Sequence, residues 1–234
     1  MLPPLSLTAW LRFDTIRAAV RAAAPASILE VGAGQGAMGQ WLSLRSRYVG
    51  VEPDDRSRQV AEARVGRLGR VVDSLPDGTF DLVCAFEVLE HIADDGAALA
   101  QWRTRLRDGG QLLLSVPAHR GRFGPCDVHV GHHRRYDRAD IETLVASQGF
   151  ELISISSYGA GLGHLLEAVR NAIVRRRRPD PSMQDRSAAS GRFLQAGDRL
   201  APALAVLAGP FRVVQRPFAR TGLGTGWIVV ARRA

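Results

Sequence analysis

Apolar residues recur along the chain in two spacings that alternate with each other. Short apolar runs predict five strands in the first half, at residues 27–31, 48–51, 70–72, 81–86 and 111–116. Between them, apolar residues three or four apart predict helices at residues 8–24, 35–44, 54–65 and 94–107. Several of the strands are apolar on both faces. This alternation is typical of an α/β fold in which helices cover both faces of a parallel sheet.

The spacing becomes irregular after the fifth predicted strand. Residues 118–136 are polar and rich in histidine and arginine, which predicts a long loop. A helix at 138–148 and a strand at 151–156 follow. Further predicted elements are a helix at 162–174, a linker at 179–190, an apolar helix at about 199–208 and a strand at 226–231. The helices and linker between the last two strands interrupt the αβ rhythm.

Composition places the chain among globular proteins. It has 234 residues, of which 46% are hydrophobic and 23% are charged, enough to bury a core. The longest uncharged stretch near the C-terminus, residues 200–211, is too short to span a membrane. The first residues lack a signal-peptide pattern, and the two cysteines fit neither a disulfide framework nor a zinc spacing. We therefore expect a soluble, cytoplasmic protein.

All 31 basic residues are arginine, and their distribution is uneven. Residues 1–164 contain 18 arginines and 19 acids, a net charge of −1, whereas residues 165–234 contain 13 arginines and 4 acids, a net charge of +9. Such asymmetry indicates an anionic partner, either a phosphate-bearing substrate, a membrane surface or a nucleic acid. The run Arg175, Arg176, Arg177 and Arg178 is either a solvated charge run, a peripheral contact with an acidic membrane or a contact with a phosphorylated substrate.

The strongest chemical signal is a glycine-rich segment after the first predicted strand. Gly32, Gly34 and Gly36 lead from this strand into a helix, where glycine lets a ligand approach the backbone closely. Glu52 ends the second predicted strand, where a carboxylate can accept both hydroxyls of a ribose. Glu30, just before the glycines, would repel a pyrophosphate and suits a cationic amine. These residues indicate an adenosine cofactor that carries an amine.

Four segments in order carry a family resemblance. They read LEVGAGQG from Leu29, VGVEP from Val49, FDLVCAFEVLEH from Phe80 and LRDGGQLLLSVP from Leu106. Together they resemble the core motifs of class I S-adenosylmethionine-dependent methyltransferases of the small-molecule type. The resemblance implies a Rossmann-like, seven-stranded, mostly parallel sheet whose last strand is antiparallel. We therefore expect a core of residues 1–160 and 222–234, with a basic, partly helical insertion or cap at 161–221.

The resemblance also implies roles for individual residues. S-adenosyl-L-methionine is then the cofactor, with Glu30 holding its methionine amine and Glu52 its ribose. Phe86 and Glu87 would lie beside the cofactor at the end of the fourth strand. Asp73 is the candidate for the adenine amine.

The polar segment after the fifth strand holds the candidate catalytic groups. It resembles a D-x-x-x-G-H-x-R-R-Y stretch found in a bacterial branch of the same family. His132, His129 and Tyr136 are the candidates, since histidine titrates near neutrality and can take a hydroxyl proton during methyl transfer. Arg134 and Arg135 are candidates for clamping a phosphate or carboxylate, or else anchor the start of the next helix.

Two further histidines are candidate substrate contacts. His91 ends the fourth-strand motif and either lines the pocket or bonds within its own loop. His119 follows the fifth strand and is a second candidate base. We expect no metal, because the acid and histidines at 127–133 match no known ligand spacing.

These residues predict methyl transfer from S-adenosylmethionine to a small-molecule acceptor. The acceptor group is expected to be a hydroxyl of an anionic or amphiphilic metabolite, for example a glycosylated, phosphorylated or prenyl-linked intermediate. The alternatives are an NAD-dependent oxidoreductase, from the glycines and Glu52, and a non-catalytic protein that binds the cofactor. Aromatic residues are sparse in the basic segment, so we expect no nucleic-acid substrate. We expect a monomer or a homodimer.

Overall fold

A seven-stranded sheet organises residues 3, 5–176 and 201–234, which the computed structural model describes. Its strands are β1 (Ser27–Val31), β2 (Arg47–Val51), β3 (Gly69–Val72), β4 (Phe80–Phe86), β5 (Leu106–Pro117), β6 (Phe150–Tyr158) and β7 (Gly226–Arg233). They lie in the order β3-β2-β1-β4-β5-β7-β6. β7 is antiparallel to both its neighbours, whereas the pairs among β1 to β5 are parallel. The mostly parallel sheet with an antiparallel last strand is confirmed.

Helices cover both faces of this sheet. They are α1 (Leu7–Ala23), α2 (Ala37–Leu42), α3 (Asp55–Val65), α4 (Asp95–Thr104), α5 (Pro125–Val130), α6 (Arg138–Ser147), α7 (Leu162–Arg176) and α8 (Ala201–Val214). The apolar faces of α1, α2, α3 and α8 form one core layer around Trp10. Those of α4 and α6 form the other around Trp102. The predicted order of strands and helices is therefore confirmed for the described residues.

The predicted boundary between the fourth helix and the fifth strand is wrong. The helix expected to continue to residue 107 ends at Thr104, and β5 begins at Leu106 rather than at residue 111. Leu106 is fully buried and pairs with Phe80, so its side chain belongs to the core. The Asp-Gly-Gly stretch at 108–110 therefore lies inside β5, where the register against β4 shifts.

The polar segment predicted as a loop contains a short helix, α5. Pro125 starts it, which costs no hydrogen bond because the first N–H of a helix has no partner within the helix. The Asp127 carboxylate accepts the Gly124 N–H at 2.8 Å, and Gly131 ends the helix with a φ of +82°. A helix of this length has too few apolar repeats to be detected from hydrophobic spacing.

The region between β6 and β7 contains α7 and α8. α7 packs against α5, and α8 packs against α1. On α8, Arg212 pairs with Asp14 of α1, with Nε 2.9 Å from Oδ2. α8 continues beyond the predicted residue 208 to Val214, with Pro210 inside it.

The predicted linker at 179–190, with Arg177 and Arg178, lies outside the described residues. Among the helices that the structure describes, none combines the length and the hydropathy needed to cross a bilayer.

Candidate functional site

A cavity of about 640 Å³ opens where the carboxyl ends of β1, β2, β4 and β5 meet. Open parallel sheets bind their ligands at this edge, beyond the carboxyl ends of the strands. The cavity is lined by several of the predicted site residues: Glu30, Gly32, Gly34, Glu52, Phe86, Glu87, His91, His132 and Arg135. Elements outside the sheet add Arg12 from α1 and Arg170 from α7. The fold therefore gathers cofactor and substrate candidates around one space.

The glycine loop after β1 forms one wall of the cavity. Gly32, Gly34 and Gly36 have φ values of +73°, +53° and +76°, a conformation that favours glycine. A Cβ on Gly36 would lie 2.8 Å from the Cα of Ala61, so this glycine allows α2 to approach α3. A Cβ on Gly34 would meet no atom within 4 Å. Gly34 therefore exposes its backbone to the open cavity, where a ligand can approach.

Glu52, directly after β2, is held by two backbone donors. The Gly34 N–H donates to its Oε2 at 2.8 Å, and the Asp54 N–H donates to its Oε1 at 2.9 Å. A carboxylate offers about four acceptor positions, so each oxygen retains capacity for another donor. Glu52 is thus oriented at the cavity wall and able to accept two ligand hydroxyls.

Glu30 is a buried carboxyl at the end of β1. The Tyr48 hydroxyl donates to its Oε2 at 2.6 Å. Burial raises the pKa of Glu30 to about 8, although the Tyr48 hydrogen bond and the Arg12 charge oppose this rise. A cationic ligand group beside Glu30 would stabilise its ionised form.

Glu87 follows β4 and turns into the cavity with a φ of +58°, which is uncommon for a residue other than glycine. Its Oε1 accepts hydrogen bonds from the hydroxyls of Ser115 at 2.9 Å and Tyr158 at 2.8 Å. Burial opposes ionisation, but the Arg12 charge and these two hydroxyls outweigh it and hold the pKa of Glu87 below its usual value. Glu87 is therefore a fixed anion within the site.

Asp127 connects the histidine and arginine of the polar segment. Its Oδ1 lies 2.8 Å from Nδ1 of His132, and both its oxygens accept from Nε of Arg135 at 2.9 and 3.0 Å. Burial opposes ionisation, but the His132 and Arg135 hydrogen bonds lower the pKa of Asp127 to about 2. Because ionised Asp127 can only accept, His132 donates through Nδ1 and leaves Nε2 as the free nitrogen of its neutral form.

Glu90 and His91 lie next to His132. Glu90 is fully buried, and its Oε1 is 3.7 Å from Nε2 of His132. The rings of His91 and His132 meet edge to face with centroids 4.6 Å apart. Burial and the neighbouring His132 lower the pKa of His91 to about 4, so His91 is neutral near pH 7. Burial and the Glu87 charge raise the pKa of Glu90.

Two of the candidates in the polar segment face away from the cavity. The Tyr136 hydroxyl donates to Asp95 at 2.9 Å, and the Tyr136 carbonyl accepts from Nε1 of Trp227 at 2.9 Å. Arg134 pairs with the same Asp95 at 2.7 Å. Arg135, by contrast, is buried between Asp127 and Glu167. The two guanidinium groups therefore do not form one clamp.

Four other predicted residues also lie outside the cavity lining, namely Gly36, which packs against α3, and three residues with polar side chains. The His119 ring has Nε2 3.1 Å from the Gly224 carbonyl. His129 lies on α5. Asp73 lies on the exposed turn after β3 and accepts a hydrogen bond from Ser74 at 2.8 Å.

Several cavity residues were not anticipated from the sequence. Arg12 comes from α1, Tyr158 from the end of β6, and Glu167 and Arg170 from α7. Helical spacing places Arg12 on a mainly apolar segment, and nothing local marks it as functional. Tyr158 ends a strand beside Gly159, which is a weak signal for a residue at the carboxyl edge of the sheet.

The cavity fits the cofactor that the sequence motifs imply. Open backbone at Gly34 leaves space beside the loop, and Glu52 offers acceptors there for hydroxyls. Glu30 presents a carboxyl that a nearby cation would ionise. A pyrophosphate in the same place would meet the Glu87 anion, which like charge disfavours.

Comparison with known proteins supports the same family. Residues 11–155 match the family model described as a methyltransferase domain. A probable S-adenosylmethionine-dependent methyltransferase of Mycolicibacterium smegmatis is 30% identical over 149 residues, covering 59% of this chain and 58% of the relative. A ubiquinone biosynthesis O-methyltransferase of Dechloromonas aromatica is 28% identical over 118 residues, covering 45% of this chain and 50% of the relative. The chain thus spans between half and three fifths of the length of these relatives.

A solved structure shares the fold. The S-adenosylmethionine-dependent methyltransferase of Mesorhizobium loti superposes with a TM-score of 0.62 at 13% identity, covering 97% of this chain and 100% of that one. At this identity the likeness shows the fold alone.

Proposed function

The chain belongs to the family of methyltransferase domains, and on that premise we propose that it methylates a hydroxyl of an anionic or amphiphilic small molecule, with S-adenosylmethionine as methyl donor. The observation that carries the proposal is the single cavity that brings the glycine loop, Glu30 and Glu52 next to the Asp127–His132 pair. The first group fits the donor, and the second can activate a hydroxyl.

The cofactor would be held by the wall formed at β1 and β2. Glu52 would accept the ribose hydroxyls, Gly34 would leave room for the approach, and Glu30 would bind the methionine amine. When bound, S-adenosylmethionine supplies an electrophilic methyl group on a sulfonium sulfur. The protein contributes mainly position, since displacement at such a group needs alignment of donor and acceptor.

His132 is the residue we assign to activation of the acceptor. Its Nδ1–H is fixed on Asp127, which directs the lone pair of Nε2 away from that carboxylate. His132 lines the cavity, so Nε2 can take a hydroxyl proton there. Asp127 stays ionised and stabilises the imidazolium that results.

An anionic acceptor is favoured by arginines other than the predicted pair. Arg12 and Arg170 line the cavity. Nε of Arg170 is buried without a hydrogen-bond partner among the described residues. A buried guanidinium N–H normally has an acceptor, so a carboxylate or phosphate on the substrate would supply the missing acceptor for Nε of Arg170.

Two experiments test the proposal. Calorimetry should detect binding of S-adenosylhomocysteine, the product of the donor, and little or no binding of NAD. Incubation of the protein with cell extract and methyl-labelled S-adenosylmethionine should then give a labelled small molecule that mass spectrometry identifies. Tight NAD binding without a response to S-adenosylhomocysteine would favour the oxidoreductase instead. Cofactor binding without any labelled product would favour a non-catalytic role.

A further inference from the structure

Glu90, His91 and His132 form a compact group of potential ligands, and the two histidines line the cavity. One donor atom from each residue lies within 4.8 Å of the donor atoms of the other two. The residues come from two separate places in the chain, the turn after β4 and the segment after α5. Sequence spacing at 127–133 did not predict this group, because two of its members lie outside that stretch.

Part of this group lacks the partners that buried polar atoms normally have. Glu90 is fully buried, and neither of its oxygens has a hydrogen-bond partner among the described residues. Nδ1 of His91 is also buried and unpartnered within the same set of residues. Buried polar atoms are almost always hydrogen-bonded, so three such atoms in one cluster require an explanation.

His132 is oriented as a metal-binding histidine is. Its Nδ1 lies 2.8 Å from Asp127, and its other nitrogen, Nε2, is the one near Glu90. Histidines that bind metals usually donate the second ring N–H to a carboxylate, which fixes the ring and its tautomer. Arg135 in turn holds Asp127 in place.

We propose that Glu90, His91 and His132 bind one divalent transition-metal ion through a carboxylate oxygen and two imidazole nitrogens. The ion would give a partner to one of the unpaired oxygens of Glu90 and to Nδ1 of His91. It would also offset the negative charge of Glu87 and Asp127 and favour ionisation of Glu90.

Two imidazoles and one carboxylate suit zinc, cobalt, manganese or ferrous iron rather than calcium. Zinc bonds of ~2.1 Å in a tetrahedral site place neighbouring ligand atoms ~3.4 Å apart. The separation of up to 4.8 Å therefore has to close by up to about 1.4 Å, within reach of side-chain rotation.

The site deepens the proposed function, and its role in activating the acceptor rests on that function. His91 and His132 line the cavity, so open positions on the ion would face the acceptor. A hydroxyl bound to a divalent cation loses its proton to solvent more readily than a free one. His132 would then activate the acceptor through the ion rather than take the proton itself. This departs from the expectation, drawn from sequence, that the protein binds no metal.

The test uses the metal alone. Full-length protein is treated with EDTA, dialysed and titrated with cobalt(II) chloride, with zinc chloride as competitor. We expect one equivalent of cobalt to bind, with visible absorption bands that zinc abolishes. Glu90→Gln and His91→Asn should each weaken the affinity at least tenfold. His133→Asn is the matched control, because His133 is an exposed histidine next to His132 and outside the cluster.

Thermal unfolding of each variant shows whether it folds. If Glu90→Gln does not fold, the cobalt spectrum of the wild type and the affinity of His91→Asn remain as the tests. Absence of cobalt bands in the wild type would overturn the proposal. So would an affinity unchanged in folded His91→Asn. S-adenosylhomocysteine binding is measured on the same EDTA-treated protein. If the protein binds S-adenosylhomocysteine but not cobalt, the metal site is refuted and the proposed function stands. If it binds cobalt but not S-adenosylhomocysteine, the proposed function alone is refuted.

Discussion

Four acidic residues around the cavity differ in their partners, and this decides their charge. Asp127 and Glu87 receive hydrogen bonds or nearby charge from arginine, histidine and hydroxyl groups, which lower their pKa values although burial opposes this. At Glu30 and Glu90 burial is the dominant effect, and it raises the pKa values of both carboxyls. The first two act as fixed anions in the free protein, whereas the other two ionise fully only when a cation approaches.

Glu30→Gln should separate stability from ligand binding. The pKa of Glu30 is raised from 4.5 to about 8 by burial, so the folded protein holds a proton that the unfolded chain releases above pH 4.5. Stability contributed by protonation therefore falls as pH rises from about 4.5 to 8. Glutamine has no such dependence. We expect urea unfolding to find Glu30→Gln more stable than wild type at pH 8.5 by a larger margin than at pH 5, while calorimetry finds weaker binding of S-adenosylhomocysteine. An equal difference at both pH values would contradict the pKa assignment.

Asp127→Asn should lower the rate of methyl transfer by about 10²- to 10⁴-fold. Asparagine can present its carbonyl or its amide to Nδ1 of His132, so the tautomer is no longer fixed, and the neutral amide cannot stabilise an imidazolium as the carboxylate does. The measurement is kcat on the acceptor found by mass spectrometry. Asp140→Asn serves as the control, since Asp140 pairs with exposed Arg120 nearby. A rate for Asp127→Asn within threefold of wild type would remove the pair from the mechanism.

At the scale of elements, α7 is connected to the polar segment through buried charges. Glu167 of α7 pairs with Arg135 at 3.0 Å and with Arg122 at 3.0 Å, and Asn171 accepts the Cys126 N–H at 2.9 Å. The helix that follows β6 thus closes the side of the cavity on which His132 lies. Its position determines how Arg135 and, through it, Asp127 are held.

Glu167→Ala should destabilise the protein by about 1.5–3 kcal/mol, because buried Arg135 then loses one of its two anionic partners. Urea unfolding measures this change in the free energy of unfolding. Glu142→Ala is the comparison, since Glu142 pairs with Arg138 on an exposed face of α6 and should cost less than about 1 kcal/mol. Equal losses in the two variants would indicate that Glu167 contributes no more than a surface pair.

Hydrophobic spacing was sufficient to predict the elements that pack on the sheet. Apolar residues recur at regular spacing in the buried strands and in α1, α3, α4 and α6, and these residues form the core on the two faces of the sheet. α5 escaped detection because a proline, an aspartate cap and a glycine define it instead. In the site, Glu30 and Glu52 could be predicted because Glu30 lies near the end of β1 and Glu52 directly follows β2. Arg12 and Arg170 could not, since their contribution depends on how α1 and α7 cross the cavity.

At the scale of the whole molecule, α7 presents an apolar stripe beside basic residues. Leu165, Val169 and Ile173 lie four residues apart and are 61%, 47% and 41% exposed. Arg175 and Arg176 end the same helix. Apolar side chains next to arginines suit the interface of an anionic lipid surface, where each arginine contributes about 1 kcal/mol.

We therefore predict that the protein sediments with phosphatidylglycerol-containing vesicles at low salt, and much less with neutral phosphatidylcholine vesicles. Val169→Ser should reduce the bound fraction at least threefold by removing part of the stripe. Val60→Ser on α3 is a control at an exposed valine outside the stripe. Equal sedimentation with both kinds of vesicle, or no sedimentation with either, would refute a peripheral membrane contact.

The position of β7 has a consequence for synthesis on the ribosome. β6 borders only β7 in the sheet, and β7 follows α7 and α8 in the chain. As the polypeptide emerges, β6 has no strand to join until residues 226–233 have left the exit tunnel. Tyr158, which ends β6 and donates to Glu87, therefore reaches its place only after β7 has been synthesised. A nascent chain stalled before β7 would carry a nearly complete glycine-loop wall and no closed cavity, so chaperones would meet an exposed β5 edge during that interval.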